Sequence, residues 1–351
     1  MQALTPTVDS SEQTLDRALA AALLEARNEL RSLSVVVPLL NEAESLPTLY
    51  QELTHELRSI GLPYEMIFVD DGSTDGSSRI LRALHASDEH VEVVEFRRNF
   101  GKSAALQAGF SIARGDAVVT LDADLQDVPA EIPHLLAELE RGADLVSGWK
   151  VDRQDPVGKR APSAVFNSAV RLATGVKLHD FNCGLKAYRA EVLREVHLYG
   201  ELHRYVPVLA HFRGFRVAEV PVSHRPRRFG TSKFGPGRFA RGFFDLLTVL
   251  FLTQYTRRPL HLFGWFGLST LSAGFVINAY LAAMWFMGNP IGQRPLLTLG
   301  VLLMIIGAQF VSFGLVGEMI ASGSSQQEFS VRRYLDHRRP FGDSPDGDLV
   351  P

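Results

Sequence analysis

Ala117-Val118-Val119-Thr120-Leu121-Asp122-Ala123-Asp124 decides how this chain is read. The first five residues form an apolar run suited to a buried strand. The run ends in two carboxylates one residue apart, where a strand passes into a loop. Carboxylates placed this way offer hard oxygen ligands to Mg²⁺ or Mn²⁺, with Gln126 and Asp127 adding oxygens nearby. An ion held there can bridge a diphosphate and make it a leaving group. Alone, the Asp-x-Asp pattern is weak, because paired aspartates also cap helices and close solvated turns.

Outward from this stretch the chain alternates. Residues 35–37, 66–69, 91–96 and 117–121 read as strands, and 44–60, 76–86 and 103–113 as helices. Such alternation predicts an α/β sheet with parallel strands. Ligands of these sheets bind beyond the carboxyl ends of the strands. Asn41-Glu42, Asp70-Asp71, Arg97-Arg98-Asn99 and Asp122-Ala123-Asp124 all fall at that edge. Polar groups converging from four loops carry more weight than any one of them.

The 351 residues suit one large domain or two, and 46% apolar with 21% charged residues is ordinary for a globular core. A net charge of −3 argues against a nucleic-acid partner. Arg225 to Arg258 nevertheless holds eight Lys/Arg and a single acid, Asp245. The one cysteine, Cys183, excludes an intramolecular disulfide, fits a reducing compartment and reads as a small structural residue. Nothing near the N-terminus resembles a secretory signal. Residues 10–31 read instead as an amphipathic accessory helix, with Leu15, Leu19, Leu23, Ala26 and Leu30 on one face.

The last third changes character. No Lys, Arg, Asp or Glu occurs between Pro259 and Gln293. Residues 261–287 and 296–317 are each long enough to cross a bilayer, which takes roughly 20 residues. The short turn between them predicts an antiparallel hairpin. Basic residues precede the hairpin, and Arg332, Arg333, Arg338 and Arg339 follow it, whereas the turn carries only Arg294. The positive-inside rule then puts the soluble domain and both termini on the cytoplasmic side of the inner (plasma) membrane. Residues 243–256, a short apolar run flanked by arginines, suit a helix lying in the membrane interface. Asn278 and Gln309 fall inside the spans and are expected to hydrogen-bond between helices. The Pro-, Asp- and Gly-rich tail after Gly342 is expected to be disordered.

Two tempting motifs fail, and two others are missing. Phe100-Gly101-Lys102-Ser103 would need a glycine where Phe96 stands to be a Walker loop. The run 71–76 would need a glutamate where Arg82 stands to be an EF-hand. No G-x-G-x-x-G follows the first strand, and no histidine pair has zinc spacing.

Several motifs together resemble a known family. Val36-Val37-Pro38-Leu39-Leu40-Asn41-Glu42, Val69-Asp70-Asp71-Gly72-Ser73-Thr74-Asp75, Arg98-Asn99-Phe100-Gly101-Lys102 and Leu121-Asp122-Ala123-Asp124-Leu125-Gln126-Asp127 are similar to the inverting GT-A glycosyltransferases. Asp180-Phe181-Asn182-Cys183-Gly184-Leu185-Lys186, Arg228-Phe229-Gly230-Thr231-Ser232-Lys233 and the two spans extend the likeness to the polyprenyl-phosphate branch, which includes dolichol-phosphate mannose synthase and the bactoprenol glucosyltransferases. The likeness runs from about residue 33 to 319.

The resemblance implies a Rossmann-like mixed sheet of GT-A type over 33–225, a basic interfacial segment over 226–258, a hairpin over 259–320, and flanking pieces 1–32 and 321–351. It implies that Pro38, Asn41, Glu42, Asp70 and Asp71 line the nucleotide pocket, with Lys102 near the ribose or phosphates. Asp122, Asp124 and Gln126 would surround Mg²⁺ or Mn²⁺. Asp180 matches the position often called the catalytic acid, and Arg160, Ser163, Arg228, Ser232 and Lys233 would handle the acceptor phosphate. Lys150 stands where the family often has arginine, keeping the charge without the bidentate fork.

A phosphate monoester has its second pKa near 6 and is largely ionised at pH 7, so Asp180 need not act as a strong base. The expected reaction moves a hexose, glucose from UDP-glucose first, to undecaprenyl phosphate. Mannose or N-acetylhexosamine transfer is the alternative, and a homo-oligomer stays open. A processive polysaccharide synthase would want more spans and a Gln-x-x-Arg-Trp motif, which is missing. A non-catalytic membrane scaffold would tolerate loss of Asp122 or Asp124, and both are present.

Overall fold

The apolar runs that read as strands are buried on both faces, which is what a sheet covered by helices on each side requires. In a computed structural model of the chain, the described residues are 29–151, 167–198, 200–226, 246–255, 259–288, 290 and 295–323. Strands β1 (Leu33–Leu39), β2 (Tyr64–Asp70), β3 (Val91–Glu95) and β4 (Ala117–Thr120) are parallel, and β5 (Leu145–Lys150), β6 (Lys186–Arg189) and β7 (Val217–Val222) complete one sheet. The order is β3-β2-β1-β4-β6-β5-β7. β6 runs antiparallel to both β4 and β5, and β7 is parallel to β5.

This topology positions the site. Two reversals around β6 leave β5 and β7 pointing the same way as β4. Lys150 at the end of β5, the residues after Val222 and the loop entering β6 therefore all reach the edge where Asp122 emerges. The expected alternation accounts for β1 to β4. The antiparallel β6 is a four-residue strand with no periodicity of its own to announce it.

The helices are α1 (Leu46–Ile60), α2 (Ser77–Ser87), α3 (Lys102–Ile112), α4 (Ile132–Glu140), α5 (Ala190–Glu195) and α6 (Val206–Phe212). Val35, Val37, Met66, Phe68 and Val119 face one way and meet Leu46, Leu49, Leu53 and Leu57 of α1 with Leu135 and Leu139 of α4. Val36, Ile67, Val69 and Val118 face the other way, onto Ala105, Leu106 and Phe110 of α3. A Cβ on Gly109 would stand 2.4 Å from Val36 Cγ1, so glycine lets α3 lie tight on β1 and brings Lys102 to the sheet edge. Leu30, the described end of the expected accessory helix, is buried in the first core; the rest of that helix, residues 10–28, lies outside the described residues.

Two long helices follow, α7 (Pro259–Phe286) and α8 (Pro295–Gly323). Both are long and apolar enough to cross a membrane, with mean hydropathies of 1.5 and 2.3, and only 11% and 17% of their most apolar windows is buried. Surfaces this apolar and this exposed belong in lipid rather than water. The helices pack along a glycine seam. Cβ atoms on Gly267 and Gly274 would lie 2.8 and 2.6 Å from the carbonyl oxygens of Gly307 and Gly300. The seven-residue spacing of these glycines keeps backbone against backbone, the small-residue packing that replaces hydrophobic association in lipid. Asn278 bonds across the seam to Met304 Sδ at 3.4 Å, as expected. Gln309 does not: it is exposed on the outer surface of the hairpin, because position 309 faces away from the seam glycine at 307.

Residues 246–255 are helical. Val249 is buried in a third cluster with Val170, Val176, Phe181, Tyr205 and Val208, and Phe251 meets Phe263 of α7 edge-on at 6.1 Å. The segment expected at the membrane interface thus joins the soluble domain to the hairpin.

Candidate active site

The first two loops at the sheet edge are laced into one unit. Asn41, in the left-handed region at φ 53°, accepts from Thr74 N at 2.7 Å, and its own N–H donates to Ser73 Oγ at 2.8 Å. Asparagine tolerates that backbone better than most residues. Glu42 N donates to Ser77 Oγ, and Ala43 N to Asp75. Asp70 is buried and accepts from Ser73 N at 2.9 Å and Ser78 Oγ at 2.5 Å. Asp71 is buried and accepts from Phe100 N at 2.7 Å and Gly101 N at 2.9 Å. Hydrogen bonds to a charged group contribute about 1.5–3 kcal/mol each, so Asp71 anchors the loop that delivers Lys102. Gly72 allows this closeness: at φ 77°, its Cβ would lie 2.6 Å from the Arg98 carbonyl carbon.

At the end of β4, Lys102 Nζ is ion-paired with Asp122. Burial pushes the Asp122 carboxyl up, but Lys102 and then Lys150 outweigh it and hold it down to about 2. Asp122 is therefore ionised at any physiological pH. Asp127 lies beneath: it accepts from Asp122 N at 3.2 Å and pairs with Lys150 Nζ at 3.0 Å in a buried bridge. Burial pushes the Lys150 ammonium down, yet Asp127 and Asp122 more than reverse this and hold it charged. Leu125, at φ 62°, is one of two non-glycine residues with positive φ among the described residues, and such backbone strain concentrates at functional turns. The turn folds Asp124 back so that its Oδ1 accepts from Gln126 N at 3.2 Å, and Gln126 pairs with Arg225 through N→O bonds at 2.9 and 3.4 Å.

Asp122, Asp124 and Gln126 thus supply two carboxylates and an amide from one turn, a donor set that fits a hard divalent cation sharing its remaining positions with phosphate. Among the described residues no third His, Cys, Asp or Glu completes a protein-only cage.

The loop before β6 closes over this turn. A Cβ on Gly184 would lie 2.8 Å from both Asp122 Cγ and Asp127 Oδ2, so only glycine fits. Asp180 is 1% exposed; its Oδ1 accepts from Asn182 N at 3.0 Å, while its N–H and that of His179 donate to Glu219 of β7. Lys186, 4% exposed, donates to the carbonyls of Cys183 and Phe181. Burial pushes the Cys183 thiol up to about 12, which leaves it structural.

Between these loops lies a cavity of about 130 Å³, lined by Pro38, Lys102, Asp122, Asn182, Lys186, His203 and Arg204 among others. His203 Nδ1 meets Ser103 Oγ at 3.0 Å; burial, reinforced by Lys102, Arg204 and Lys186, pushes its pKa well down and keeps it neutral.

The structure therefore brings together Pro38, Asn41, Glu42, Asp70, Asp71, Lys102, Asp122, Asp124, Gln126 and Asp180 at one edge, with Asp70, Asp71 and Asp180 already engaged by the protein's own N–H and O–H groups. Arg160, Ser163, Arg228, Ser232 and Lys233 lie outside the described residues.

Residues 34–197 match the family model Glycosyl transferase family 2. Dodecaprenyl-phosphate galacturonate synthase of Rhizobium johnstonii is 41% identical over 314 residues, 87% of this chain and 93% of that protein. This chain belongs to glycosyl transferase family 2. Undecaprenyl-phosphate 4-deoxy-4-formamido-L-arabinose transferase of Klebsiella pneumoniae is a further relative, 37% identical over 83% of this chain and 88% of its own length. Glucosyl-3-phosphoglycerate synthase of Mycobacterium tuberculosis, solved with Mn²⁺, UDP-glucose and phosphoglyceric acid, superimposes with a TM-score of 0.51 at 22% identity, over 66% of this chain and 82% of that one. It shares the GT-A fold. The family 2 chain is thus a glycosyltransferase, and the loops at its sheet edge form its candidate active site.

Sequence reasoning missed Lys186, His203 and Arg204 of this glycosyltransferase as cavity-lining groups, and Glu219 as the residue that holds the Asp180 backbone. Lys186 did stand at the end of a quoted motif. His203-Arg204 and Glu219 are isolated polar residues whose role exists only once β6 and β7 take their places.

Proposed function

We propose that this membrane glycosyltransferase moves a sugar from a nucleoside diphosphate-sugar to a polyprenyl phosphate on the cytoplasmic leaflet. The observation that carries the reading is the Lys102–Asp122–Asp124 cluster at the rim of a small cavity in a domain tied to an apolar hairpin. Both sequence relatives bear names with a polyprenyl phosphate acceptor. Their named sugars are galacturonate and 4-deoxy-4-formamido-L-arabinose, so the glucose expected from resemblance gives way here to a carboxylated or otherwise modified sugar.

In this reading the ionised phosphate of the lipid attacks the anomeric carbon. The new C1–O bond forms as the bond to the β-phosphate oxygen breaks, and the nucleoside diphosphate leaves with both electrons of that bond. Configuration at C1 inverts. A divalent cation bound by Asp122, Asp124 and Gln126 would supply charge neutralisation for the departing diphosphate. Lys102, paired with Asp122 at the cavity, would also pair with diphosphate oxygens. Asp71 presents the 98–102 loop, and Gly184 lets the 180–185 loop close on the turn. Asp180, whose Oδ1 accepts from Asn182 N, would steady positive charge developing at C1 from behind Asn182. The hairpin keeps the cavity at the depth of the lipid phosphate and raises its effective concentration.

Asp124→Ala tests the reading: turnover should fall at least about 100-fold, in line with loss of a positioned charge at a leaving group. Unchanged activity in the presence of a chelator would contradict the cation assignment.

A further inference from the structure

Three cationic side chains, Lys102, Lys186 and Arg204, line the cavity against one carboxylate, Asp122. Lys102 is taken by Asp122. The other two are left with little. Lys186 is almost fully buried, yet its hydrogen-bond acceptors are two backbone carbonyls, of Phe181 and Cys183, and no carboxylate lies within ion-pair distance of it among the described residues. Arg204 is buried as well, and its ion pair among those residues is a long one, 3.5 Å to the half-exposed Glu201. A buried ammonium without a paired anion is costly. Burial pushes Lys186 below its ordinary pKa, and Lys102 adds to this. An oxyanion beside Lys186 and Arg204 would relieve that cost, and the arginine offers it a planar two-pronged donor.

In the function proposed above the donor diphosphate already has partners of its own, Lys102 and a cation on Asp122 and Asp124, which leaves Lys186 and Arg204 to another anion. Resting on the function proposed above, we propose that Lys186 and Arg204 form an oxyanion subsite inside the cavity, separate from the diphosphate clamp, which takes either the carboxylate of a uronic acid donor sugar or the phosphate of the lipid acceptor. His203, held by Ser103 in the same cavity, would supply a neutral wall that hydrogen-bonds a sugar hydroxyl without adding charge.

The test separates the two sources. Binding of UDP-galacturonate and of UDP-galactose to the full-length protein is measured without acceptor, by ligand-induced thermal shift. The lipid arm measures KM for undecaprenyl phosphate. If the anion is the sugar carboxylate, the wild type binds UDP-galacturonate about tenfold tighter than UDP-galactose, and Arg204→Gln removes that preference while leaving UDP-galactose binding unchanged. If it is the acceptor phosphate, the wild type shows no such preference and Arg204→Gln raises the lipid KM about tenfold with donor binding intact. Lys186→Arg, which retains the charge and a donor for the 181–183 carbonyls, should preserve whichever effect is seen. Donor preference and lipid KM both unmoved by Arg204→Gln, in a protein that melts like the wild type, would overturn the subsite. Absence of transfer by the wild type with every donor would instead overturn the function, and the donor-binding arm reads the subsite independently of it.

Discussion

Gly184 shows how narrowly single residues set this site. A methyl group there would sit 2.8 Å from Asp122 Cγ, so Gly184→Ala should push Asp122 off its partner Lys102 and cut turnover more than about tenfold. The far-UV spectrum and melting of the domain should change little; full activity would show that the turn yields freely. Asp180→Asn isolates charge from geometry, because asparagine can still accept from Asn182 N. It should lower kcat and leave the donor KM near its wild-type value; near-normal kcat at saturating substrate would remove Asp180 from the reaction. Acid titration reads Asp122. Its folded pKa, about 2, lies below the ordinary 3.8, so the pairing stabilises the fold fully above about pH 4 and is lost as pH falls through about 2. Lys102→Met should move that acid transition upward. Asp122, Asp124 and Asn41 were legible in sequence because they follow strands directly. Lys186 and Arg204 were not assigned a role, since a lone cation has no spacing, and only the reversal at β6 aims them into one cavity.

Among the elements, the short helical segment 246–255 carries more than membrane contact. Val249 packs in the same cluster as Phe181, which lines the cavity together with Asn182. Phe251 meets the first long helix. Val249→Ala should cost about 2 kcal/mol of local packing, from two lost methyl groups and the space they leave. Its effect should appear as reduced kcat with donor affinity retained, and Val249→Ile should restore it; wild-type kcat in Val249→Ala would separate the segment from the catalytic loop. In the hairpin, a side chain at Gly307 meets Leu271 N and Gly267 O within 2.7 Å. Gly307→Val should therefore disrupt the hairpin while the soluble domain keeps its melting temperature. The parallel strands and both spans could be read from period and length. The glycine seam could not, because the contact it makes depends on the register of two helices, and the outward-facing Gln309 shows the same gap.

At the scale of the whole molecule, the sheet directs its loops to one edge, and a short helical segment anchored by the buried Val249 ties the domain to an apolar hairpin. In the function proposed above, this arrangement would bring a water-soluble donor and a lipid-borne phosphate to one cavity. Family 2 membership and the GT-A fold account for the donor half, and the exposed apolar hairpin accounts for the lipid half. The most direct measurement is to reconstitute the full chain in liposomes with undecaprenyl phosphate and Mn²⁺, supply nucleotide-sugars one at a time, and weigh the lipid products. The account predicts one new glycolipid, heavier than the acceptor by a single sugar, formed with a metal requirement and lost in Asp124→Ala. No glycolipid from any donor, with a correctly folded protein in the bilayer, would contradict it.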